Sequence, residues 1–190
     1  MATGPTANIW YSLFNLYTAA ALVINAIVIA FMVYFIIRYR ERPGRKAGKE
    51  GIDPKKLTLV FMALSAIIFY SLEFYTLDAM RFVEEEPDQI DMIIKVVGFQ
   101  WGWRFIYPNG TSSVGLLKVP MGATVLFEVT SNDVHHKFGI PAYKASIDAV
   151  PGRVNKIWVK FDTPGVFTVR CYELCGLGHA RMLAKIVVIG

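Results

Sequence analysis

The chain has 190 residues, 54% of them hydrophobic, with a mean hydropathy of +0.41; this leaves room for one modest domain plus membrane segments and excludes a pair of soluble domains. The formal charge of +5 and a pI of about 9.2 would suit a nucleic-acid binder, but from Arg38 to Lys56 eight Lys or Arg stand against three acids, so one loop carries the whole surplus. An excess confined to so short a segment suits a membrane flank and excludes a nucleic-acid face.

Met1 to Thr18 contains no Lys or Arg, so the basic start of a secretory signal peptide is missing. Ala19 to Ile37 is apolar and uncharged apart from the polar Asn25, and the apolar character continues, more weakly, back to Ile9. Such a run is long enough to cross a bilayer, whose hydrocarbon core needs about 20 helical residues, and it lacks the polar face of a soluble amphipathic helix. Asn25 is expected to bond to a neighbouring helix. Leu57 to Leu77 is a second such run, interrupted only by Glu73 near its far end. Glu73 has two readings: it reaches water at the interface, or it contacts a partner subunit. The predicted unit is therefore a transmembrane hairpin over residues 1–80, with helices at about 9–38 and 57–79 joined by the basic loop 38–56. Positive loops stay in the cytoplasm, which places the N-terminus and everything after Asp78 on the outer face of the cell membrane.

Residues 81–190 open with the charged linker Glu84-Glu85-Glu86-Pro87-Asp88 and continue as short β-rich runs. The runs are Met92–Phe99, Trp103–Tyr107, Thr124–Thr130, Val154–Phe161, Val166–Arg170 and Leu183–Ile189, separated by turns such as Pro108-Asn109-Gly110, Pro151-Gly152 and Thr163-Pro164-Gly165. That spacing predicts an all-β sandwich or barrel. Within it, Val134, His136, Phe138 and Ile140 alternate with Asp133, His135 and Lys137, the period of a strand, with His136 on the apolar face and His135 on the solvent face.

The chemistry concentrates in Cys171-Tyr172-Glu173-Leu174-Cys175-Gly176-Leu177-Gly178-His179-Ala180-Arg181-Met182. Two thiols, an imidazole and a thioether within twelve residues favour copper, because soft sulfur suits Cu(I) and imidazole suits either oxidation state. A Cys171–Cys175 disulfide is the alternative in an oxidising compartment. Zinc would need further nitrogen or oxygen ligands and would leave Met182 without a role.

The pattern Cys-x-Glu-x-Cys-x-x-x-His-x-x-Met resembles the binuclear copper (CuA) loop of subunit II of haem-copper cytochrome c oxidases. The resemblance implies an α+β membrane protein, a two-helix hairpin followed by a cupredoxin-like Greek-key domain. It implies that Cys171 and Cys175 bridge two copper ions, that one histidine serves each copper, and that Met182 and the backbone carbonyl of Glu173 are the weaker ligands. His179 is one of the histidines; the family pattern Asp-Val-x-His aligns on His136 as the other, the residue that strand periodicity also places inward. By the same resemblance the Glu173 carboxylate binds a magnesium ion shared with subunit I. Gly98-Phe99-Gln100-Trp101-Gly102-Trp103 resembles the family's aromatic stretch, which makes Trp101 the residue where electrons enter and leaves Trp103 as a core residue. Asp148-Ala149-Val150-Pro151-Gly152-Arg153 resembles the segment that faces subunit I and its haem propionates.

The expected function is electron transfer in a terminal respiratory oxidase, an oxidoreductase and translocase whose oxygen chemistry resides in subunit I. Single electrons would pass from a soluble donor, a cytochrome c or a small blue-copper protein, through the copper pair to haem. The implied partners are subunit I, other oxidase subunits, the donor and the lipid membrane. Residues 81–190 carry twelve bases and ten acids, so the domain lacks the strong acidity that often accompanies a basic cytochrome c partner. No Cys-x-x-Cys-His sequence occurs, so no fused haem c is expected. The corresponding subunit of a copper-containing nitric oxide reductase shares this site and stays open as an alternative. A non-redox structural subunit would lack the cysteines, and a copper carrier would need exchangeable metal.

Overall fold

A computed structural model describes residues 4–41, 44 and 53–190, and the chain divides into two units. One is Ser12–Met80; the other joins the residues up to Tyr11 with Arg81–Gly190.

The helical unit is made by α1 (Pro5–Tyr39) and α2 (Pro54–Glu84). Both are longer than their apolar runs. Proline is well placed in a first helical turn, where its missing N–H costs nothing, and Pro5 and Pro54 open the two helices. Asp53 caps α2, its side chain accepting from the Lys55 N–H at 3.0 Å and its carbonyl from the Leu57 N–H at 3.2 Å. Both helices are long and apolar enough to cross a membrane, and their most apolar windows are wholly unburied. Tyr17 and Thr76 share a hydroxyl–hydroxyl hydrogen bond of 2.7 Å between the helices. Thr76 and Ser71 also donate to the carbonyls of Leu72 and Ile67 one turn back. Asn25 behaves differently from the expectation: its side-chain amide donates to the Ala21 carbonyl of its own helix at 2.8 Å. A backbone acceptor one turn away is always within reach, and it takes one of the amide's two N–H donors. The basic loop predicted over 38–56 lies largely outside the described residues.

The β unit holds ten strands: β1 (Met92–Phe99), β2 (Gly102–Ile106), β3 (Ser112–Val114), β4 (Leu116–Pro120), β5 (Thr124–Ser131), β6 (His136–Ile140), β7 (Ala145–Ala149), β8 (Asn155–Lys160), β9 (Gly165–Cys171) and β10 (Leu183–Ile189). They form two five-stranded sheets, in the orders β3-β2-β1-β5-β8 and β4-β10-β9-β6-β7. The pairs β1·β5 and β10·β4 are parallel and the others antiparallel, so the chain crosses between sheets instead of meandering. This is the two apolar helices followed by a β-sandwich that the sequence suggests. Strands β3, β4 and β7 are additions to the six predicted runs and to the alternating strand at His136, which is β6. Leu117 and Val119 do alternate inward along β4, whereas β7 consists mainly of small or polar residues and is held by its pairing with β6.

The core between the sheets is aromatic: Trp103, Phe105, Phe127, Phe138, Tyr143 and Phe161 are all at 0–1% exposure. Phe138 lies at its centre, with ring centroids 5.2 Å from Trp103 and 5.4 Å from Phe127. Val134 is not in this core. Strand β6 begins only at His136, and Val134 sits in the preceding turn with 37% exposure, so the predicted alternation holds from His136 onward. The first residues of α1 belong to this unit because Thr6 and Ala7 are buried and the Thr6 hydroxyl donates to the Tyr143 carbonyl at 3.0 Å. In the last turn of α2, Phe82 packs edge-on against Trp158, and just beyond the helix Glu86 pairs with Lys156 at 2.9 Å.

Candidate metal centre

Three chain segments meet at one end of the β unit. Strand β6 starts at His136, β9 ends at Cys171, and residues 172–182 connect β9 to β10. Register does part of the assembly: Phe138 opposes Cys171 across β6·β9, and the Cys171 N–H donates to the Met182 carbonyl at 3.2 Å. The connection closes with a single 3-10 turn over His179–Arg181, which brings Met182 back beneath the cysteines.

The predicted ligand atoms converge. Cys171 and Cys175 are free thiols with sulfurs 3.8 Å apart, well beyond the 2.05 Å of a disulfide bond. Around Cys171 stand His136 Nδ1 at 3.9 Å and the Glu173 carbonyl oxygen at 3.2 Å. Around Cys175 stand His179 Nδ1 at 3.6 Å and Met182 Sδ at 3.6 Å. His136 and Met182 are fully buried, both cysteines are buried, and His179 is half-buried. The ligating atoms of His136, Cys171 and Cys175 lie within 4.8 Å of one another, close enough to hold a metal ion. Sulfur and imidazole donors with a thioether among them fit copper better than a hard cation such as magnesium or calcium. Burial, with the Cys171 thiol beside it, pushes the Cys175 thiol up to about 11. A bound cation is what would turn Cys175 into a thiolate at neutral pH.

His136 is held from behind. Its Nε2 lies 2.8 Å from Asp133 Oδ1, which leaves Nδ1 facing the sulfurs. Its ring lies against Gly98, where an added Cβ would come within 3.0 Å of the imidazole, and edge-on to Trp103. Burial opposes ionisation of Asp133, but the His136 ring and the backbone N–H groups of Val134 and Gln100 outweigh it and hold the carboxyl below its ordinary value. Asp133 was visible in the Asp-Val-x-His pattern only as a polar member of the alternation. Its task as the partner that fixes the histidine's tautomer comes from the turn that folds it back onto the ring.

Trp101 is 43% exposed and Trp103 is at 0%. The Trp101 indole N–H donates to the Cys175 carbonyl at 3.1 Å, and the Gln100 side-chain amide donates to the same oxygen at 2.8 Å. The indole lies flat on the metal loop: a Cβ on Gly178 would collide with its ring, and one on Gly176 would come within 3.3 Å of it. Gln100 also ties its backbone N–H to Asp133, so one residue links the tryptophan's anchor to the histidine's clamp. The Glu173 residue of the loop is half-buried, and Asp148 lies 3.4 Å from His135 and 3.5 Å from Lys137.

The family of the periplasmic domain of cytochrome c oxidase subunit II matches residues 115–189. The heme-copper oxidase subunit 2 of Aeropyrum pernix is 38% identical over 97% of this chain and 86% of its own length. Among solved structures, the periplasmic domain of subunit II of cytochrome oxidase from Bradyrhizobium japonicum is similar with a TM-score of 0.52 and 34% identity, covering 53% of this chain and 86% of that one. A heme-copper terminal oxidase dimer contains a chain similar with a TM-score of 0.54 and 28% identity, covering 72% of this chain and 99% of that one. With its two apolar helices, its β-sandwich and its cluster of sulfur and imidazole donors, the chain belongs to the family of subunit 2 of haem-copper oxidases, the electron-transfer component of an oxidoreductase complex.

Proposed function

We propose that the chain receives single electrons from a soluble donor at a binuclear copper centre and relays them to haem in subunit I, where oxygen is reduced to water. The observation that carries this reading is the division of four donor atoms between two sulfurs 3.8 Å apart: His136 and the Glu173 carbonyl near Cys171, His179 and Met182 near Cys175. Two shared thiolates with separate outer ligands suit a pair of metals better than one. When bound, the copper pair supplies a one-electron store. The chain's own residues keep that store rigid and dry: Cys171, Cys175, His136 and Met182 are buried, and Asp133 holds the His136 ring in one orientation. A ligand set that moves little on reduction wastes little energy in rearrangement, and its surroundings tune the potential. Trp101 is the uptake point, because its exposed ring faces solvent while its N–H rests on the carbonyl of a ligand residue. The donor is a cytochrome c or a blue-copper protein. The Glu173 carboxylate, free of the copper set, is assigned to a magnesium ion shared with subunit I.

In this reading residues 9–38 and 57–79 span the cell membrane, loop 38–56 is cytoplasmic, and residues 81–190 with the N-terminus lie outside. The surplus of basic residues in that loop supports the orientation. Two experiments test the proposal. Metal analysis of the reconstituted chain is expected to find two coppers per chain; one copper, or a Cys171–Cys175 disulfide with none, overturns it. Protease added to sealed right-side-out vesicles is expected to release the β domain and spare Arg45 and Lys46; cleavage there reverses the orientation.

A further inference from the structure

A second site lies where the start of α1 meets the β unit; it shares only Tyr172 with the metal loop and none of the copper donors. The 3-10 helix Pro141–Tyr143 ends on Lys144, which has a left-handed backbone with φ of 54° and is the one non-glycine residue at positive φ among the described residues. Glycine or asparagine would take that conformation at less cost, so a lysine there calls for a use of its side chain. Lys144 Nζ stands 4.3 Å from the ring centroid of Trp10 and 5.4 Å from that of Tyr11. Ring faces hold the ammonium by electrostatic attraction without using up its N–H donors. Beside it opens a cavity of about 240 Å³ lined by Trp10, Pro141, Lys144, Ala145, Ser146 and Tyr172. Trp10 and Tyr11 are the last aromatic pair before α1 passes into the unit whose apolar surface is unburied. Tryptophan and tyrosine concentrate at that level, where hydrocarbon gives way to headgroups.

We propose that this cavity binds the headgroup of an anionic phospholipid of the outer leaflet. The Lys144 ammonium takes the phosphate, the Ser146 hydroxyl offers a further hydrogen bond, and Trp10 and Tyr11 flank the glycerol region. The site rests on α1 crossing the membrane and is independent of the copper assignment. A lipid seated there gives the β unit a polar contact with the bilayer surface in addition to the covalent connections of the two helices.

The test uses the full chain, purified in neutral detergent and analysed by native mass spectrometry with phosphatidylglycerol, phosphatidylcholine or inorganic phosphate. Phosphatidylglycerol is expected to be retained over phosphatidylcholine. Lys144→Gln should bind it about fivefold more weakly, the effect of one lysine near an anionic surface, and Lys144→Arg should restore it. Copper content, measured in parallel, should be the same in all three proteins. Equal retention by Lys144→Gln, or equal retention of the two lipids, overturns the proposal. Displacement of the lipid by an equal concentration of inorganic phosphate marks a free-anion site and also overturns it. So does a cross-linker at Ser146 that captures subunit I and no lipid in the assembled oxidase. A chain that stays soluble without detergent would fail the membrane reading itself, a different result from any of these.

Discussion

His136 stands at the start of a strand, fully buried, with a carboxylate behind it and a tryptophan beside it; His179 stands on a single 3-10 turn and is half-buried. Their sulfur neighbours differ in the same way. Cys171 ends β9 and is paired by register to β6, whereas Cys175, His179 and Met182 all come from one connection and reach each other through local turns. One half of the centre is therefore assembled by strands distant in sequence, and the other by a loop that folds on itself. The first half is rigid because the sheet is rigid. The second is rigid where Met182 and Cys175 are buried, and more open at His179.

The largest expected effect breaks this comparison directly. His136→Ala removes a ligand from a sealed position and leaves Asp133 without its ring partner, so copper should fall from two per chain to one or none and the absorption of the centre should collapse. His179→Ala opens a position that solvent can reach, so most of the copper should stay, with a shifted spectrum that added imidazole reverses. Metal analysis and absorption spectra with and without imidazole read both. Equal rescue of the two variants would show that the halves are equally accessible.

A second test sharpens the comparison from the loop side. Trp101→Ala takes the exposed ring off the Gly176–Gly178 backbone and removes one of the two donors to the Cys175 carbonyl. Anchoring aromatics at docking surfaces carry about 2 kcal/mol or more, so electron uptake should slow roughly 30-fold. Stopped-flow reduction at the copper band measures it. The copper spectrum should hold, because Gln100 still donates to the same carbonyl. Uptake at the normal rate would reduce Trp101 to a packing residue.

The smallest of the three concerns Asp133. Asp133→Asn keeps an acceptor near His136 Nε2 but removes the charge, and partners behind a ligand typically contribute about 10–100-fold in metal affinity. The expected loss is about tenfold in copper affinity, at the lower end of that range, since the Val134 N–H still donates to the oxygen that faces His136 and only the Gln100 N–H loses its acceptor. Competition with a copper chelator gives the value. An unchanged affinity would mean that burial alone orients the ring.

How much of this was legible beforehand follows from the same division. The loop half could be read from the chain because its donors are close in sequence: two thiols, an imidazole and a thioether within twelve residues define a soft site before any folding is known. The two helices were legible for a similar reason, since an uncharged apolar run has one use at that length. Their ends were less so, because Pro5, Asp53 and Pro54 extend each helix by capping chemistry that an apolar count does not register. Periodicity was right for His136 and wrong for Val134, since it marks alternation without marking where the strand begins.

By itself, the sequence determined the class of the fold, the membrane-spanning runs and the identity of the soft donors, all properties of residues near one another along the chain. Only the tertiary structure decided that Asp133 turns back onto His136, that Gln100 and Trp101 share the Cys175 carbonyl, and that Lys144 reaches the rings of Trp10 and Tyr11. The physical reason is that these contacts depend on segments that meet only in the fold: the rings of His136 and Trp101 pack on the backbone at Gly98, Gly176 and Gly178, where a missing side chain matters only once such a ring arrives, and the start of α1 brings Trp10 and Tyr11 to Lys144.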